Sequence, residues 1–286
     1  MKTITAIRDM QRTTDALRRD GRRIAFVPTM GYLHEGHVQL IRRARAEADF
    51  TAVSIFVNPS QFGPKEDFSR YPRDLARDSA LAEQAGCDLL FVPETDEMYP
   101  PGFSTRVSIA GLASVLEGAS RPGHFDGVAT VVAKLLNIVR PHVAVFGQKD
   151  AQQVAVIRAM LQELNFDTAL IVEPTVREAD GLAMSSRNVY LSPEERQRAL
   201  ALSRALGSAS VLYAGGERRA SALAGAVRSE LASTPGVDVD YVAVLDAETF
   251  TDPGADTERP LLVAIAAKVG STRLIDNTLL QEIPRP

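Results

Sequence analysis

R-I-A-F-V-P-T-M-G-Y-L-H-E-G-H-V-Q-L-I-R-R-A-R-A-E-A-D-F-T-A-V-S-I-F-V, residues 23–57, decides the fold. Its two ends, 23–30 and 50–57, are apolar runs of strand length, the mark of strands buried on both faces. Between them 36–48 carries a helical pattern, so the stretch reads as a βαβ unit. The alternation continues outward with a helix over 73–85, a strand at 88–92, a helix over 127–139, a strand at 143–146, a helix over 151–164 and a strand at 168–172. A Rossmann-like parallel sheet with helices on both faces, an α/β fold, follows.

Between 93 and 125 the pattern weakens into a Pro/Gly-rich excursion, the kind of segment that often carries binding groups. After Pro174 the texture changes to helical patterns over 193–213 and 218–232, followed by strand candidates at 239–245 and 261–267. The expected organisation is a Rossmann-like domain over 1–175 and a smaller α+β C-terminal domain over 176–286.

The chain has 286 residues, 45% hydrophobic and 24% charged, an ordinary globular composition. A net charge of -4 removes the broad basic surface a nucleic acid would need, so no nucleic-acid partner is expected. Cys87, the single cysteine, allows no intrachain disulfide and sits in the apolar run C-D-L-L-F-V, where packing is its expected role. The N-terminal M-K-T-I-T-A-I-R-D is interrupted by charge and does not read as a signal peptide. No apolar stretch nears the ~20 residues that span a bilayer, so no membrane association is expected and the cytoplasm is the expected compartment.

Four segments carry chemistry. The first, P-T-M-G-Y-L-H-E-G-H at 28–37, leaves the first strand and enters the first helix. Ligands of open parallel sheets bind at the carboxyl ends of the strands, and a helix N-terminus offers N–H groups to an anion. Two of the chain's four histidines, His34 and His37, lie here three residues apart, on one helical face. A zinc reading is weaker, because the H-E-x-x-H spacing is missing; neither the P-loop nor the G-x-G-x-x-G fingerprint occurs.

The second, N-P-S-Q-F at 58–62, also follows a strand. Asn58 and Gln61 each offer a donor and an acceptor, which suits a hydroxy acid, yet Asn-Pro is also ordinary turn chemistry, and the residues leave both readings open. The third, F-G-Q-K-D-A-Q-Q at 146–153, places Lys149 where a point charge can meet a phosphoryl group and Asp150 where it can accept from ribose hydroxyls; a plain Lys-Asp helix cap is the alternative. The fourth, M-S-S-R-N at 184–188, has hydroxyls and a guanidinium able to close over a polyphosphate, ahead of a helix N-cap at Ser192.

Together with R-P-G-H-F-D-G-V-A-T-V-V-A-K-L at 121–135 and G-S-T-R-L-I-D-N at 270–277, these segments resemble the pantothenate synthetase family of the H-x-G-H nucleotidyltransferase superfamily. The resemblance covers nearly the whole chain. One departure is His142, where the family more often carries aspartate; it is expected to be a structural substitution.

The resemblance implies ATP-dependent condensation of pantoate with β-alanine through a pantoyl adenylate. It implies that Met30, Gly31, Tyr32, Leu33, His34, Glu35, Gly36 and His37 hold ATP, with both histidines on its phosphates and His37 as proton donor. Gly147, Gln148, Lys149 and Asp150 would hold the nucleotide, Val176 the adenine, and Met184, Ser185, Ser186 and Arg187 would close on the phosphates. Gln61 and Gln153 would bind pantoate, with Gln61 also meeting β-alanine, and Asn58, Met30 and Val131 complete the expected substrate set. His37, His34, Lys149 and Arg187 are the expected catalytic residues, Asp78 the magnesium-associated carboxylate, Mg2+ the metal and a homodimer the assembly.

Three rivals remain. An adenylyltransferase with a phosphate acceptor would call for cations where Gln61 and Gln153 stand, and a tRNA-charging enzyme fits an acidic chain poorly. A nucleotide sensor without turnover is disfavoured by the joint presence of the histidine pair, Lys149 and Arg187.

Overall fold

The computed structural model describes residues 1–64, 66–254 and 259–281, and the chain divides into two compact units between Pro174 and Thr175. In the first unit the element order is β1 (Lys2–Ile4), α1 (Ile7–Arg19), β2 (Ile24–Thr29), α2 (Glu35–Glu47), β3 (Phe50–Ile55), α3 (Leu75–Gln84), β4 (Leu89–Phe91), α4 (Thr95–Met98), α5 (Glu117–Ser120), α6 (His124–Val139), β5 (Val143–Gly147), α7 (Ala151–Glu163) and β6 (Ala169–Glu173). The six strands form one sheet in the order β1-β4-β3-β2-β5-β6, every pair parallel.

Parallel strands need covering on both faces, and the alternation of side chains across each strand supplies two cores. Ile24 and Phe26 of β2 and Ala52 of β3 pack in one cluster with Met10 of α1, Val128 and Val132 of α6, and Ile157 and Met160 of α7. Ala25 and Val27 of β2 and Val53 of β3 point the other way, into a cluster with Val38 and Ile41 of α2 and Ala82 of α3. Helices therefore lie on both faces, as the sequence pattern predicts.

Two elements escape that pattern. β1 has three residues and gains its identity by pairing with β4, Lys2 opposite Leu89 through Ile4 opposite Phe91. The charged helix α1 buries only Met10 and Thr14.

In the second unit come α8 (Pro193–Ala214), α9 (Ala220–Ala232), β7 (Val237–Asp246), β8 (Leu261–Val269) and β9 (Thr272–Leu280). The three strands form an antiparallel sheet with β8 central, and Leu202, Leu206, Leu223 and Val227 of the helices pack with Val263 and Ile265 of β8. α8 begins on a capping box: Ser192 Oγ accepts from the Glu195 N–H at 3.2 Å, and a Glu195 carboxylate oxygen accepts from the Ser192 N–H at 2.9 Å. The third strand, β9, takes up residues 272–277 of the 270–277 motif, whose polar residues hide its strand character. Asp276, 3% exposed, takes a bidentate ion pair from Arg177 at 2.7 and 3.0 Å.

Candidate active site

The strand order reverses at β2: the chain leaves it toward β3 on one side, and β5 is added on the other. Crevices for ligands open at such switch points, outside the carboxyl ends of the strands. Three of the four sequence motifs leave the carboxyl ends of β2, β3 and β5, which are neighbours in the sheet.

After β2 the backbone turns sharply. Gly31 has φ +84° and Tyr32 φ +48°, left-handed values that glycine tolerates and tyrosine adopts at a cost. A Cβ on Gly31 would lie 2.9 Å from Ile55 Cγ2 and 3.0 Å from an Asp78 oxygen, so nothing larger fits. The loop's own N–H groups are already engaged. Gly31 N donates to Thr29 Oγ1 at 3.2 Å, Tyr32 N to Asp78 Oδ2 at 2.6 Å, Leu33 N to Asp78 Oδ1 at 2.7 Å, and His34 N to His37 Nδ1 at 3.3 Å. Leu33 turns its side chain wholly into the core. Tyr32 and Leu33, expected among the residues that hold ATP, spend their N–H groups on Asp78; the N–H groups of α2's own first turn are the ones aimed along its axis.

The His34 N–H bond settles the chemistry of His37. With Nδ1 accepting, its proton sits on Nε2, so the ring offers a donor. Burial, the neighbouring His34 and the Lys149 ammonium all push its pKa well below the usual histidine value. The two imidazole centroids are 4.1 Å apart. His37 is thus a neutral hydrogen-bond donor and a poor base.

Lys149 lies in the 3-10 turn Gln148–Asp150 joining β5 to α7, close enough to act on His37, with its Nζ 3.8 Å from Asp150 Oδ1. Its side chain is 19% exposed. His34, His37 and Lys149 are brought together, as the motifs predict.

Beside them, Pro59–Gln61 forms a short 3-10 turn after β3. Asn58, 1% exposed, donates through Nδ2 to Gln61 Oε1 at 3.0 Å and to Gly127 O at 3.1 Å, while its Oδ1 accepts from Tyr99 OH at 2.8 Å and Ser60 Oγ at 2.8 Å. Its hydrogen-bonding capacity is consumed by the protein. Asn58 corrects from substrate ligand to the holder of Gln61, whose Nε2 faces Met30 Sδ at 3.2 Å.

Behind Gln61 lies a chain of charges that the motifs do not announce. His124 Nδ1 donates to Gln61 O at 2.8 Å, Arg121 Nη1 donates to His124 Nε2 at 3.0 Å, and Arg121 grips Glu66 with two bonds of 2.7 Å. Burial and Arg121 lower the His124 pKa to about 4, which keeps the ring neutral and able to bridge. α6 starts so close that a Cβ on Gly127 would meet Ser60 O and stand 2.7 Å from Gln61 Cα. The only sequence signal is that 121–127 falls in a family-like stretch.

Gln153 is half-buried on the first turn of α7, while its neighbour Gln152 is 5% exposed and ties down 112–117 through Leu112 O, Val115 O and Glu117 N. Val131, 6% exposed, belongs to the apolar cluster on α6. Val176 and Met184–Arg187 lie in the second unit, where Met184 N donates to Val176 O at 3.0 Å and Ser185 Oγ accepts from Arg187 N at 3.2 Å.

Asp78 is 1% exposed, and each of its oxygens accepts a loop N–H. Desolvation pushes its pKa up, against the pull of those two N–H groups and of Arg77. Among the described residues no group of three or more His, Cys, Asp or Glu side chains could hold a metal ion. Asp78, the carboxylate expected beside magnesium, thus accepts one hydrogen bond at each oxygen from the loop backbone.

An open parallel sheet with two imidazoles and an ammonium at its switch point defines the class: an H-x-G-H nucleotidyl-transfer fold. The chain belongs to the pantoate-beta-alanine ligase family, whose model matches residues 2–279. It is similar to the pantothenate synthetases of Geobacter sulfurreducens, 54% identical over 99% of both chains, and Thermotoga petrophila, 55% identical over 98% of this chain and 100% of that one. The crystal structure of the Thermus thermophilus pantothenate synthetase superposes with a TM-score of 0.92 at 46% identity, over 99% of this chain and 100% of that one. The Francisella tularensis ligase, solved in complex with β-γ ATP and β-alanine, superposes at 0.81 with 33% identity over the full length of both.

Proposed function

We infer that the protein condenses pantoate with β-alanine at the expense of ATP, giving pantothenate, AMP and pyrophosphate through an enzyme-held pantoyl adenylate. The observation that supports this reading is that the turns carrying His34 and His37, Lys149 and Gln61 all leave the carboxyl ends of neighbouring strands, β2, β5 and β3.

The pantoate carboxylate, with a pKa near ~4, is ionised at neutral pH and attacks the α-phosphate without a general base. The new bond is carboxylate oxygen to phosphorus; the bond broken releases pyrophosphate. Charge grows on the departing phosphates, where the Lys149 ammonium and the His37 Nε2–H would stabilise it. Gln61, held by Asn58 and His124, orients pantoate opposite, and Gln153 and Val131 belong to the same pocket by family resemblance.

In the second step the neutral amine of β-alanine attacks the acyl carbon and AMP leaves with the anhydride oxygen. The ammonium, with an aqueous pKa near ~10, must lose its proton first; His37, with Nδ1 accepting from the His34 N–H and Nε2 protonated, has no lone pair for it, so the amine enters neutral with its proton left in solvent. Excluding water protects the anhydride. The Met184–Arg187 loop is assigned that closing role by family resemblance, which also supports a homodimer; cytoplasmic residence suits an enzyme that spends ATP. Mg2+ enters this reading as the counter-ion of the triphosphate, and no step is assigned to Asp78 through it.

Pyrophosphate–ATP exchange tests the reading. Exchange that requires pantoate is expected; exchange driven by a different acceptor, or none at all, refutes it.

A further inference from the structure

We propose that Asp78 is the positioning residue of the phosphate site: from the first turn of α3 it locks the backbone of Tyr32 and Leu33 and thereby sets where the His34 and His37 rings stand. The proposal rests on the ATP reading given above.

Three observations converge. Both Asp78 oxygens are spent on consecutive N–H groups, at 2.6 and 2.7 Å, charge-assisted bonds shorter than ordinary amide pairs. The loop they hold is in a conformation it would not keep by itself: Gly31 at φ +84° and Tyr32 at φ +48° are adjacent left-handed residues, and such backbone persists only where the surroundings enforce it. The fit is tight from the other side as well, since a Cβ on Gly31 would touch Asp78 Oδ2 and Ile55 Cγ2.

Arg77 adds a second grip, its guanidinium 5.1 Å from the Tyr32 ring centroid and 3.8 Å from the Asp78 carboxylate. α3 is itself anchored at its start, where the Asp74 side chain accepts from Arg77 N at 3.0 Å and Asp74 O from Asp78 N at 2.9 Å. From Leu33 the effect reaches the site within one residue: His34 N supplies the bond that fixes the His37 tautomer.

The test is Asp78→Asn, a substitution of equal size that turns one acceptor oxygen into an NH2 opposed to a loop N–H. Nitrogen-resolved NMR should show the Tyr32 and Leu33 amide signals displaced and the Nε2–H form of His37 depopulated. In pantoate-dependent exchange kcat should fall roughly ten- to a hundredfold, the scale of a misplaced catalytic group, with the KM for pantoate within about twofold of the parent. The Mg2+ concentration giving half-maximal rate should not move. A half-maximal Mg2+ concentration that rises in step with the loss, or undisturbed amide and imidazole signals with parental kcat, overturns the proposal.

If Asp78→Asn fails to fold, Gly31→Ala presses on the same contact with the carboxylate intact; lowered kcat with a shifted His37 tautomer supports the proposal, and parental values for both refute it. A parent protein with no pantoate-dependent exchange would sink the ligase reading, while the NMR comparison would still judge the anchor.

Discussion

Removing the Lys149 ammonium asks how much of the first chemical step depends on one charge. Two unit charges about 4 Å apart interact by roughly 4 kcal/mol at the effective dielectric near a protein surface. At about 1.4 kcal/mol per decade that bounds the effect near 10³-fold. Two features reduce it. The Lys149 side chain keeps 19% of its exposure, and its Nζ lies 3.8 Å from Asp150 Oδ1, which neutralises part of its field. Only the part of the attraction that grows as pyrophosphate departs accelerates the reaction. Lys149→Ala should therefore lose about 10²-fold in kcat, and Lys149→Arg should recover only part of it, because a planar fork replaces a point charge. Single-turnover formation of pantoyl adenylate reads the step directly, with a melting curve as the control for folding. Adenylate formed by the alanine variant within about threefold of the parental rate would show that Lys149 does not face the phosphates.

Gly127→Ala forces a Cβ against Ser60 O and Gln61 Cα, and overpacking of this kind costs about 2 kcal/mol, roughly 4–8 °C in melting temperature, together with a raised KM for pantoate; calorimetry and steady-state kinetics check it. His142 Nδ1 accepts from Ile24 N at 3.0 Å, which only the unprotonated ring can do. Burial first, then Arg18 and Arg23, hold its pKa below 6.5 against a smaller opposing pull from Asp167. The stability it contributes is thus present above pH ~6.5 and lost as the pH falls toward the depressed folded value; denaturant melts of His142→Asn should show a shallower acid dependence across that window.

Much of this molecule was legible in the chain, for a reason visible in residues 23–57. β2 and β3 are buried on both faces, and a strand so placed must be apolar throughout, so its sequence announces it; α2 between them completes a βαβ unit that has essentially one handedness. The motif residues at 28–37, 58–62 and 146–153 could be assigned to strand ends before any coordinates, because ligands gather where parallel strands stop.

What the chain does not declare locally is set by partners distant in sequence. β1 is three residues that become a strand only against β4, and β9 reads as a polar motif until Asp276 meets Arg177. Asn58 looks like a ligand from its residues and Asp78 from family resemblance, since an amide or carboxylate advertises its bonding groups without showing where they are spent. Folding brings Gly127 and Tyr99 to the first, and Tyr32 and Leu33 to the second. A buried polar group must be satisfied by whatever tertiary packing places beside it, so the sequence determines which donors and acceptors exist, and only the tertiary structure decides which of them remain for a substrate.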